Sequence, residues 1–433
     1  MRSLWPRTGL WRDPEFLKLW SAQGISQLGT QVTLLALPLA AILVLDASAT
    51  EVALLGAVEV LPFLLFTLPA GVWVDRLPRR PILVVADVGR AVALASIPLA
   101  YAVDALTLPH LYVVAFATGV LAVFFDVSYL AYLPSLVQRD QLGAANSNLE
   151  ATRSAAQVAG PGVAGVLVEA ITAPAAILVD GISYLFSALF VWRIERPDRR
   201  EQRVSPRGQL LAQLKEGLSF VLRHPYLRAL TLSTGGWNLF AHIGFGIFLV
   251  YFVRTLGLSP AVVGLLIAVG SCGSIVGALA AARIAERFGL GRAMVWPAIV
   301  SSVAFFLVPL APRESPELFV LAGLLLGSFL GMVFNVTQLT FRQSITPEHL
   351  QGRMNAVVRF MYWGPQPAGL ALGGVLAAVI GLRPTLFVSA AGATLVFLPL
   401  LAHPIRKLRE LPEKEKQALA GAVPLPAPQR PDA

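Results

Sequence analysis

The stretch Gly71-Val72-Trp73-Val74-Asp75-Arg76-Leu77-Pro78-Arg79-Arg80-Pro81 decides the fold of this chain. It lies between two apolar runs, at residues 51–73 and 81–103, each long enough to cross a bilayer as a helix. Gly71 allows another helix to approach closely, and Asp75 can accept hydrogen bonds from a helix N-terminus or from Arg76 and Arg80. The alternative interpretation is a loop whose arginines serve only to set membrane topology.

Composition indicates a polytopic membrane protein. Of the 433 residues, 56% are hydrophobic and only 14% are charged, whereas soluble proteins have about 25% charged residues. The arginines behind the net charge of +9 concentrate in particular loops, which is typical of membrane topology and not of a nucleic-acid-binding surface. The single cysteine and five scattered histidines show no metal-ligand spacing, and no cofactor loop or nucleophile–base arrangement is present. We therefore predict no metal, no cofactor and no enzymatic activity.

Twelve apolar runs predict twelve transmembrane helices. They span approximately residues 16–45, 51–73, 81–103, 110–134, 150–171, 174–193, 226–252, 260–284, 292–311, 317–341, 356–380 and 383–403. The first run is too long for the apolar core of a signal peptide, so we predict that it is retained as helix 1. Arginine-rich and arginine-poor connections alternate along the chain, which predicts a multi-pass protein of the inner (cytoplasmic) membrane with both termini in the cytoplasm.

The sequence also repeats internally. Gln27 and Gln31 recur as Asn238 and His242 at an offset of 211, and Asp126 recurs as Asn335 at an offset of 209. Two parallel six-helix halves related about the membrane normal form a known transporter architecture. We predict an all-α membrane protein with this pseudo-twofold arrangement. Its predicted parts are an N-terminal half (1–193), a cytoplasmic linker (194–225), a C-terminal half (226–405) and a disordered cytoplasmic tail (406–433).

The loop at 71–80 resembles the signature between helices 2 and 3 of the major facilitator superfamily, G-x-x-x-D-R-x-x-R-R/K, and matches it at every position. FDVSYLAYLPSLVQRDQLGAANS (125–147), followed by GPGVAGVL, resembles the branch of enterobactin exporters and macrolide or multidrug efflux proteins. The resemblance implies the major facilitator fold, with a gate motif of Gly71, Asp75, Arg76, Arg79, Arg80 and Arg90. Gly160, Pro161, Gly162 and Gly165 in helix 5 are similar to the antiporter signature of drug exporters, although glycines upstream in its fullest form are absent. The alternative is a kinked packing helix without bearing on transport direction.

Two acids are candidates for proton coupling. Glu59 lies within helix 2, about 12 Å from its end at 1.5 Å rise per residue. A carboxylate at that depth is costly unless it is paired or protonated, so it should face the interior of the bundle. The alternative role is a hydrogen bond between helices. Asp126 on helix 4 lies at a depth similar to that of Asp87 and Arg90 on helix 3. The resemblance favours a place in the charge network of the gate over proton coupling.

A polar stripe predicts a substrate cavity. Gln23, Gln27 and Gln31 are spaced i, i+4 and i+8 along helix 1 and share one face. By family resemblance, helices 1, 4, 7 and 10 border the central cavity, and amides with aromatic residues there suit a largely apolar ligand that carries a few polar groups. The alternative for each amide is a contact between helices. The other candidate cavity residues are Gln157, Trp237, Asn238, His242, Asn335, Tyr362, Trp363 and Gln366.

These features predict a proton-coupled exporter (antiporter) of hydrophobic or amphipathic small molecules, such as drugs, that works by alternating access. The partners expected are the substrate, protons and membrane lipids, without nucleic acid, and the resemblance implies a monomer. The absence of a G-x-x-x-x-G-K-[ST] sequence argues against an ATP-driven pump in this chain. The alternative is a dedicated exporter of a siderophore or secondary metabolite. An uptake symporter or a non-transporting membrane scaffold fits the sequence less well.

Overall fold

The computed structural model describes residues 9–74, 76–196, 198 and 207–409; within these ranges the side chains at 68, 72, 207–214, 348 and 349 are left out of the description. The described residues form helices and their connections, with no β-strand. Twelve of the described segments are helical, long and apolar enough to cross a membrane, as the sequence predicts. Helices suit this environment because each satisfies its own backbone hydrogen bonds without water.

Six helices form the first half. They are α1 (Pro14–Leu43), α2 (Ala49–Val74), α3 (Arg79–Ala102), α4 (Leu108–Leu136), α5 (Leu142–Ile171) and α6 (Ala173–Trp192). Helix α7 (Arg207–Arg223) lies between the halves. Several helices begin at recognisable signals: the side chain of Asp13 accepts a hydrogen bond from the Glu15 backbone N–H at 3.0 Å, immediately before Pro14.

The second half also contains six spans, four of them interrupted. They are α8 (Pro225–Val250) with a π-helical turn (Tyr251–Thr255), α9 (Pro260–Phe288), α10 (Leu290–Ala304) with α11 (Leu307–Leu310), α12 (Pro316–Ser344), α13 (Glu348–Trp363) with α14 (Pro365–Ile380), and α15 (Leu382–Leu395) with α16 (Pro399–Ala402). The break between α13 and α14 falls at Gly364-Pro365. Proline has no backbone N–H and cannot complete the helical hydrogen-bond ladder there.

The two halves repeat the same packing. In the first half, α1 packs against α5 and α6, α3 packs against α4 and α6, and α2 packs against α4. In the second half, the corresponding pairs are α8 with α14 and α15, α10 with α12 and α15, and α9 with α12. These repeated pairs extend the internal repeat from sequence to packing.

The halves meet closely where α5 crosses α9. A Cβ atom added at Gly165 would lie 2.4 Å from the backbone oxygen of Pro260, and one added at Gly264 would lie 2.2 Å from that of Pro161. No side chain fits between backbones at these distances, so glycine is required on both helices.

Further contacts between the halves occupy the same end of the bundle, which we call the Asp46 end. Arg254 pairs with Asp46 at 2.5 Å, and Glu169 accepts a hydrogen bond from the Ser259 hydroxyl at 2.7 Å. A third contact at this end connects α2 with α14, where Thr50 Oγ1 donates to the backbone oxygen of Gly374 at 2.9 Å. The Asp46 end is therefore closed.

The opposite end, which we call the arginine-rich end, contains the loop between α2 and α3. A Cβ atom added at Gly71 on α2 or at Gly143 on α5 would meet no atom within 4 Å. Near mid-depth, Phe63 of α2 stacks on Trp363 of α13 with ring centroids 5.5 Å apart. Among the described residues, the hydrogen bonds, ion pairs and ring contacts that join the halves all lie between the Asp46 end and this level. We infer that the halves diverge beyond it and leave a cleft open towards the arginine-rich end.

Two segments are more ordered than the sequence indicates. The predicted linker contains α7, which docks on α13 because Glu216 pairs with Arg353 at 2.6 Å and Gly217 contacts the Arg353 backbone. The predicted disordered tail begins at 406, but the backbone oxygen of Leu408 accepts a hydrogen bond from Gly291 at 2.8 Å. This bond fixes residues 406–409 against the start of α10. The rest of the predicted tail, 410–433, lies outside the described residues.

Candidate functional site

Six of the predicted cavity residues remain accessible. Gln157, Asn335 and Tyr362 are exposed, and Gln27, Gln31 and Trp363 are half-buried. Gln157 precedes Pro161 by one helical turn, so it lies on the α5 face that meets α9 and then parts from it. The accessible members of the set are thus amides and aromatic residues, and their role in a substrate cavity stays a prediction.

The glycines of the helix 5 motif make room for specific neighbours. A Cβ atom at Gly160 would lie 2.3 Å from Cβ of Gln31, so this glycine allows Gln31 of α1 to pack on α5. A Cβ atom at Gly162 would lie 3.3 Å from Cβ of Ala268 in the other half. Together with Gly165, the motif connects one cavity side chain to the contact between the halves.

Three predicted cavity residues do not line the open cleft in this structure. Gln23, Asn238 and Gln366 are buried between helices, with 6%, 0% and 5% of their surface exposed. The amide nitrogens of Asn238 and Gln366 donate to backbone oxygens one turn earlier, Thr234 at 2.9 Å and Tyr362 at 3.4 Å. These two amide nitrogens therefore bond within their own spans. The role of all three residues in a substrate cavity stays a prediction.

Two predicted cavity residues of α8, Trp237 and His242, are neither fully buried nor exposed. Trp237 is half-buried, with its ring 6.3 Å from that of Phe305. His242 is half-buried as well, and its Nδ1 lies 2.7 Å from the backbone oxygen of Asn238. His242 therefore packs within its half and contributes only part of its ring to the cleft.

Glu59 lies beside the residues of α2 that meet the second half, while its backbone oxygen packs close to Gly119 of α4. Gly56, one turn before it, contacts Leu370 of α14, and Phe63, one turn after it, stacks on Trp363. Residues at these spacings share one side of a helix. Among the described residues, none forms a hydrogen bond or ion pair with the half-buried Glu59 carboxyl group. This acid stands where the closed Asp46 end gives way to the cleft.

Asp126 faces the cleft with cations around it. Its side chain is exposed, and Arg90 of α3, Arg153 of α5 and Arg359 of α13 are close enough to interact with it electrostatically. Arg359 belongs to the second half, so the charges around Asp126 come from both halves. Within the described residues Asp126 forms no ion pair at 4 Å or less, which fits a long-range charge network.

A buried carboxylate cluster, which we define as Asp87, Arg90 and Asp180, occupies the interior of the first half. Both aspartates are completely buried. Arg90 forms a short ion pair with Asp87, and its guanidinium lies over the rings of Phe125 and Tyr184 at 4.5 and 4.1 Å. Arg90 is also close enough to Asp126 and Asp180 to interact with them electrostatically. One guanidinium therefore pairs with Asp87 and lies near two further carboxyl groups.

Hydroxyl groups hold Asp180 in place. Thr33 donates to Asp180 Oδ2 at 2.5 Å, and Ser183 donates to Oδ1 at 3.0 Å. Gly29 of α1 leaves the space that this pair occupies, because a Cβ atom there would lie 2.4 Å from Asp180 Oδ1. The sequence analysis missed Asp180, although an acid seven residues into a predicted span is the signal that identified Glu59.

Interior acids are confined to one half. In the part of the chain that the structure describes, every aspartate or glutamate more than six residues from the ends of a spanning helix lies in the first six helices. The equivalent of Asp126 is Asn335. The helix packing repeats between the halves, but the acidic side chains inside the helices do not.

The predicted gate motif is described in part. A Cβ atom added at Gly71 would meet no atom within 4 Å, so no helix among the described residues packs against this glycine. Arg79 pairs with Asp198 at 3.2 Å, and Arg80 donates to the backbone oxygens of Val191 and Trp192 at the end of α6. Arg76 is exposed, and Asp75 lies outside the described residues. Arg79 and Arg80 thus contact the end of α6 and the residues that follow it.

We expect Gly29→Ala to destabilise the protein. The new methyl group would overlap Asp180 and Ser183, and overpacking of this kind costs about 1–3 kcal/mol. Thermal unfolding of the purified protein in detergent measures the effect. Gly331→Ala is the matched control, because a Cβ atom at this glycine within α12 meets nothing within 4 Å. An unfolding temperature for Gly29→Ala equal to or above that of the control would contradict the packing argument.

Twelve spans in two similarly packed halves have the architecture of a polytopic membrane transporter. The family described as transmembrane secretion effector matches residues 9–429. The chain belongs to this family of major facilitator superfamily transporters, which confirms the resemblance stated above.

Relatives and solved structures support this assignment. The multidrug efflux pump Tap of Mycolicibacterium fortuitum is 29% identical over 415 residues, which cover 92% of this chain and 97% of the relative. Macrolide efflux protein A of Streptococcus pyogenes is 21% identical, and the match covers 92% of this chain and 97% of the relative. A bacterial homologue of the iron transporter ferroportin, solved in an inward-facing state, superposes with a TM-score of 0.71 at 19% identity over 91% of this chain and 99% of that one. A D-xylose–proton symporter superposes with a TM-score of 0.66 at 14% identity, over 89% of this chain and 96% of the symporter. At these identities the two structures establish the fold alone.

Proposed function

We propose that the chain exports hydrophobic or amphipathic small molecules, such as drugs, in exchange for protons by alternating access. The observation that supports this most directly is Glu59, an acid without a partner among the described residues, beside the residues of α2 that meet the second half. A carboxyl group there can take up a proton in one conformation and release it in the other. Its change of charge alters the free energy of the contact between the halves.

The proposed orientation places the arginine-rich end in the cytoplasm. Loops and helix ends on that side contain Arg79, Arg80, Arg139, Arg193, Arg283, Arg287, Arg292, Arg353 and Arg406. Positive residues are retained on the cytoplasmic side during membrane insertion. The open cleft then faces inward, and the closed Asp46 end faces outward.

The proposed cargo follows from the lining of the cleft. Gln27, Gln31 and Gln157 provide hydrogen bonds, while Tyr362 and Trp363 provide flat apolar surface. Such a surface suits an apolar molecule with a few polar groups. Two relatives that cover nearly the whole chain are named for multidrug and macrolide efflux, which favours export of compounds of this kind. The two halves enclose the cleft within a single chain, so we propose a monomer.

We assign a second role to Asp126. Its carboxyl group lies close enough to Arg359 of the other half, and to Arg90 and Arg153, to interact with them electrostatically. When the cleft closes, we propose that these charges approach one another and stabilise the outward-facing state. Asp126 would then help to hold the gate, while Glu59 moves the proton.

Inverted membrane vesicles with an acidic lumen test the proposal. Vesicles containing the protein should accumulate a cationic dye, a macrolide or a tetracycline, and a protonophore should abolish the accumulation. Vesicles from cells that lack the protein provide the background. Movement of a catecholate siderophore alone would identify a dedicated exporter instead. Accumulation only with the opposite gradient would identify proton symport and would contradict the proposal.

A further inference from the structure

A second cavity lies apart from the cleft, at the arginine-rich end of the second half. It measures about 850 Å³ and is bordered by α9, α10, α12 and the segment 404–409. Four of its lining residues are cations, and none is acidic: Arg292, Arg406, Lys407 and Arg409. Within the described part of the chain, no hydrogen bond or ion pair engages these four side chains. The cavity therefore has an uncompensated positive charge.

The remaining wall is apolar and accessible. Phe288, Trp296 and Val300 are 53%, 48% and 40% exposed, and Ile284 and Leu330 complete this wall. Apolar side chains on the outer surface of a membrane protein contact lipid tails. The cavity thus joins a cationic wall to a wall that suits hydrocarbon.

The order of side chains along α10 matches the order of groups in a phospholipid. Arg292, Trp296 and Val300 are spaced i, i+4 and i+8, so they follow one face over about 12 Å. The cation stands at the arginine-rich end, the indole follows at the level where aromatic residues anchor membrane proteins, and the aliphatic side chain lies deeper. A headgroup phosphate, a glycerol backbone and an acyl chain have the same sequence of polarity.

The cationic wall is held in place by backbone contacts. The Gly291 and Leu290 N–H groups donate to the backbone oxygens of Leu408 and Arg409 at 2.8 and 3.4 Å. A Cβ atom at Gly291 would lie 1.8 Å from the backbone oxygen of Ile405, so only glycine lets the segment lie this close. The cations after α16 are therefore fixed beside Arg292.

We propose that this cavity binds one anionic phospholipid of the adjoining leaflet, with its phosphodiester among Arg292, Arg406, Lys407 and Arg409 and an acyl chain along Trp296 and Val300. Basic pockets beside membrane helices bind such headgroups. The apolar wall distinguishes a lipid from a free phosphate, which would leave that surface uncovered. The inference requires only that this end lies at a membrane surface, and it is independent of the direction of transport and of proton coupling.

Native mass spectrometry of the full chain tests the site. We titrate the detergent-solubilised protein with phosphatidylglycerol and with phosphatidylcholine of identical acyl chains. The wild type should bind one phosphatidylglycerol in preference to phosphatidylcholine. Arg292→Gln with Arg406→Gln should weaken that first binding event by about thirtyfold, as expected if each cation contributes as much as one near a charged membrane surface. Arg283→Gln with Arg228→Gln removes two exposed cations outside the cavity and should bind as the wild type does.

Several results would overturn the proposal. They are equal binding of the two lipids by the wild type, an equal loss in both double variants, and displacement of the lipid by glycerol phosphate at comparable concentration. A variant lacking 410–433 that binds much more lipid would identify the chain's own tail as the occupant. If the Arg292/Arg406 variant does not fold, Lys407→Gln with Arg409→Gln replaces it, with the same loss of preference expected for the first bound lipid.

Discussion

Glu59→Gln is expected to abolish the proton-driven accumulation of substrate while substrate binding persists. Glutamine has nearly the same shape as glutamate and can still form hydrogen bonds, but it cannot exchange a proton. Because Glu59 lies between two contacts that join the halves, its fixed neutral state would uncouple the contact from the proton gradient. Transport in proteoliposomes with an imposed gradient measures the loss. Exchange of labelled for unlabelled substrate without a gradient should continue.

Two variants make this result specific. Glu59→Asp keeps a carboxyl group on a shorter side chain, so gradient-dependent transport should persist at a reduced rate. Asp126→Asn removes an exposed acid from the charge network and should slow exchange and gradient-driven transport together. Normal accumulation by Glu59→Gln would show that Glu59 is structural, and Asp126 or His242 would become the candidate proton carrier.

Gly165→Ala is expected to prevent closure of the Asp46 end. The new methyl group would lie 2.4 Å from the Pro260 backbone oxygen, so α5 and α9 could no longer touch there. Overpacking costs about 1–3 kcal/mol, which corresponds to a shift of about five- to 150-fold in the equilibrium between conformations. Transport should fall by a similar factor, because each cycle must pass through this closed contact. Gly143→Ala on the same helix meets no atom within 4 Å and should transport normally.

The single cysteine reports the conformation directly. Cys272 is exposed on α9, one turn after Ala268, which faces Gly162 of α5. An impermeant maleimide added from the arginine-rich side should therefore label it in the structure described here. Labelling from that side should slow in Gly165→Ala and remain at the wild-type rate in Gly143→Ala. Loss of transport without slower labelling would indicate a folding defect and contradict the conformational explanation.

Much of the architecture can be predicted from the sequence because a bilayer imposes simple requirements. An apolar run of sufficient length must be helical there, and the arginines mark the ends of the helices. Glu59 is equally easy to recognise, since a mid-span acid in an apolar helix is rare and costly. Asp180 satisfies the same criterion, and applying that criterion to every span would have found it.

The surroundings of individual polar residues are harder to predict. Gln23 and Gln27 belong to one stripe, yet only Gln23 is buried, because a stripe at i+4 spacing drifts around the helix and crosses the boundary of the cleft. Asn238 and Gln366 bond to their own helices, a choice that depends on the packing of neighbouring helices. The environment of Gly71 depends on which end of the bundle is closed. None of these properties is encoded in local spacing.

The confinement of interior acids to the first half suggests a division of labour after an ancestral duplication. Under the mechanism proposed above, the first copy has kept the groups that handle charge, while its counterpart contributes mainly shape and aromatic surface to the shared chamber. Mutations in the second copy could then reshape the chamber for new compounds without disturbing proton coupling. Relatives in this lineage should accordingly differ in cargo more readily than in driving force, and chimaeras should inherit their selectivity chiefly from the second copy.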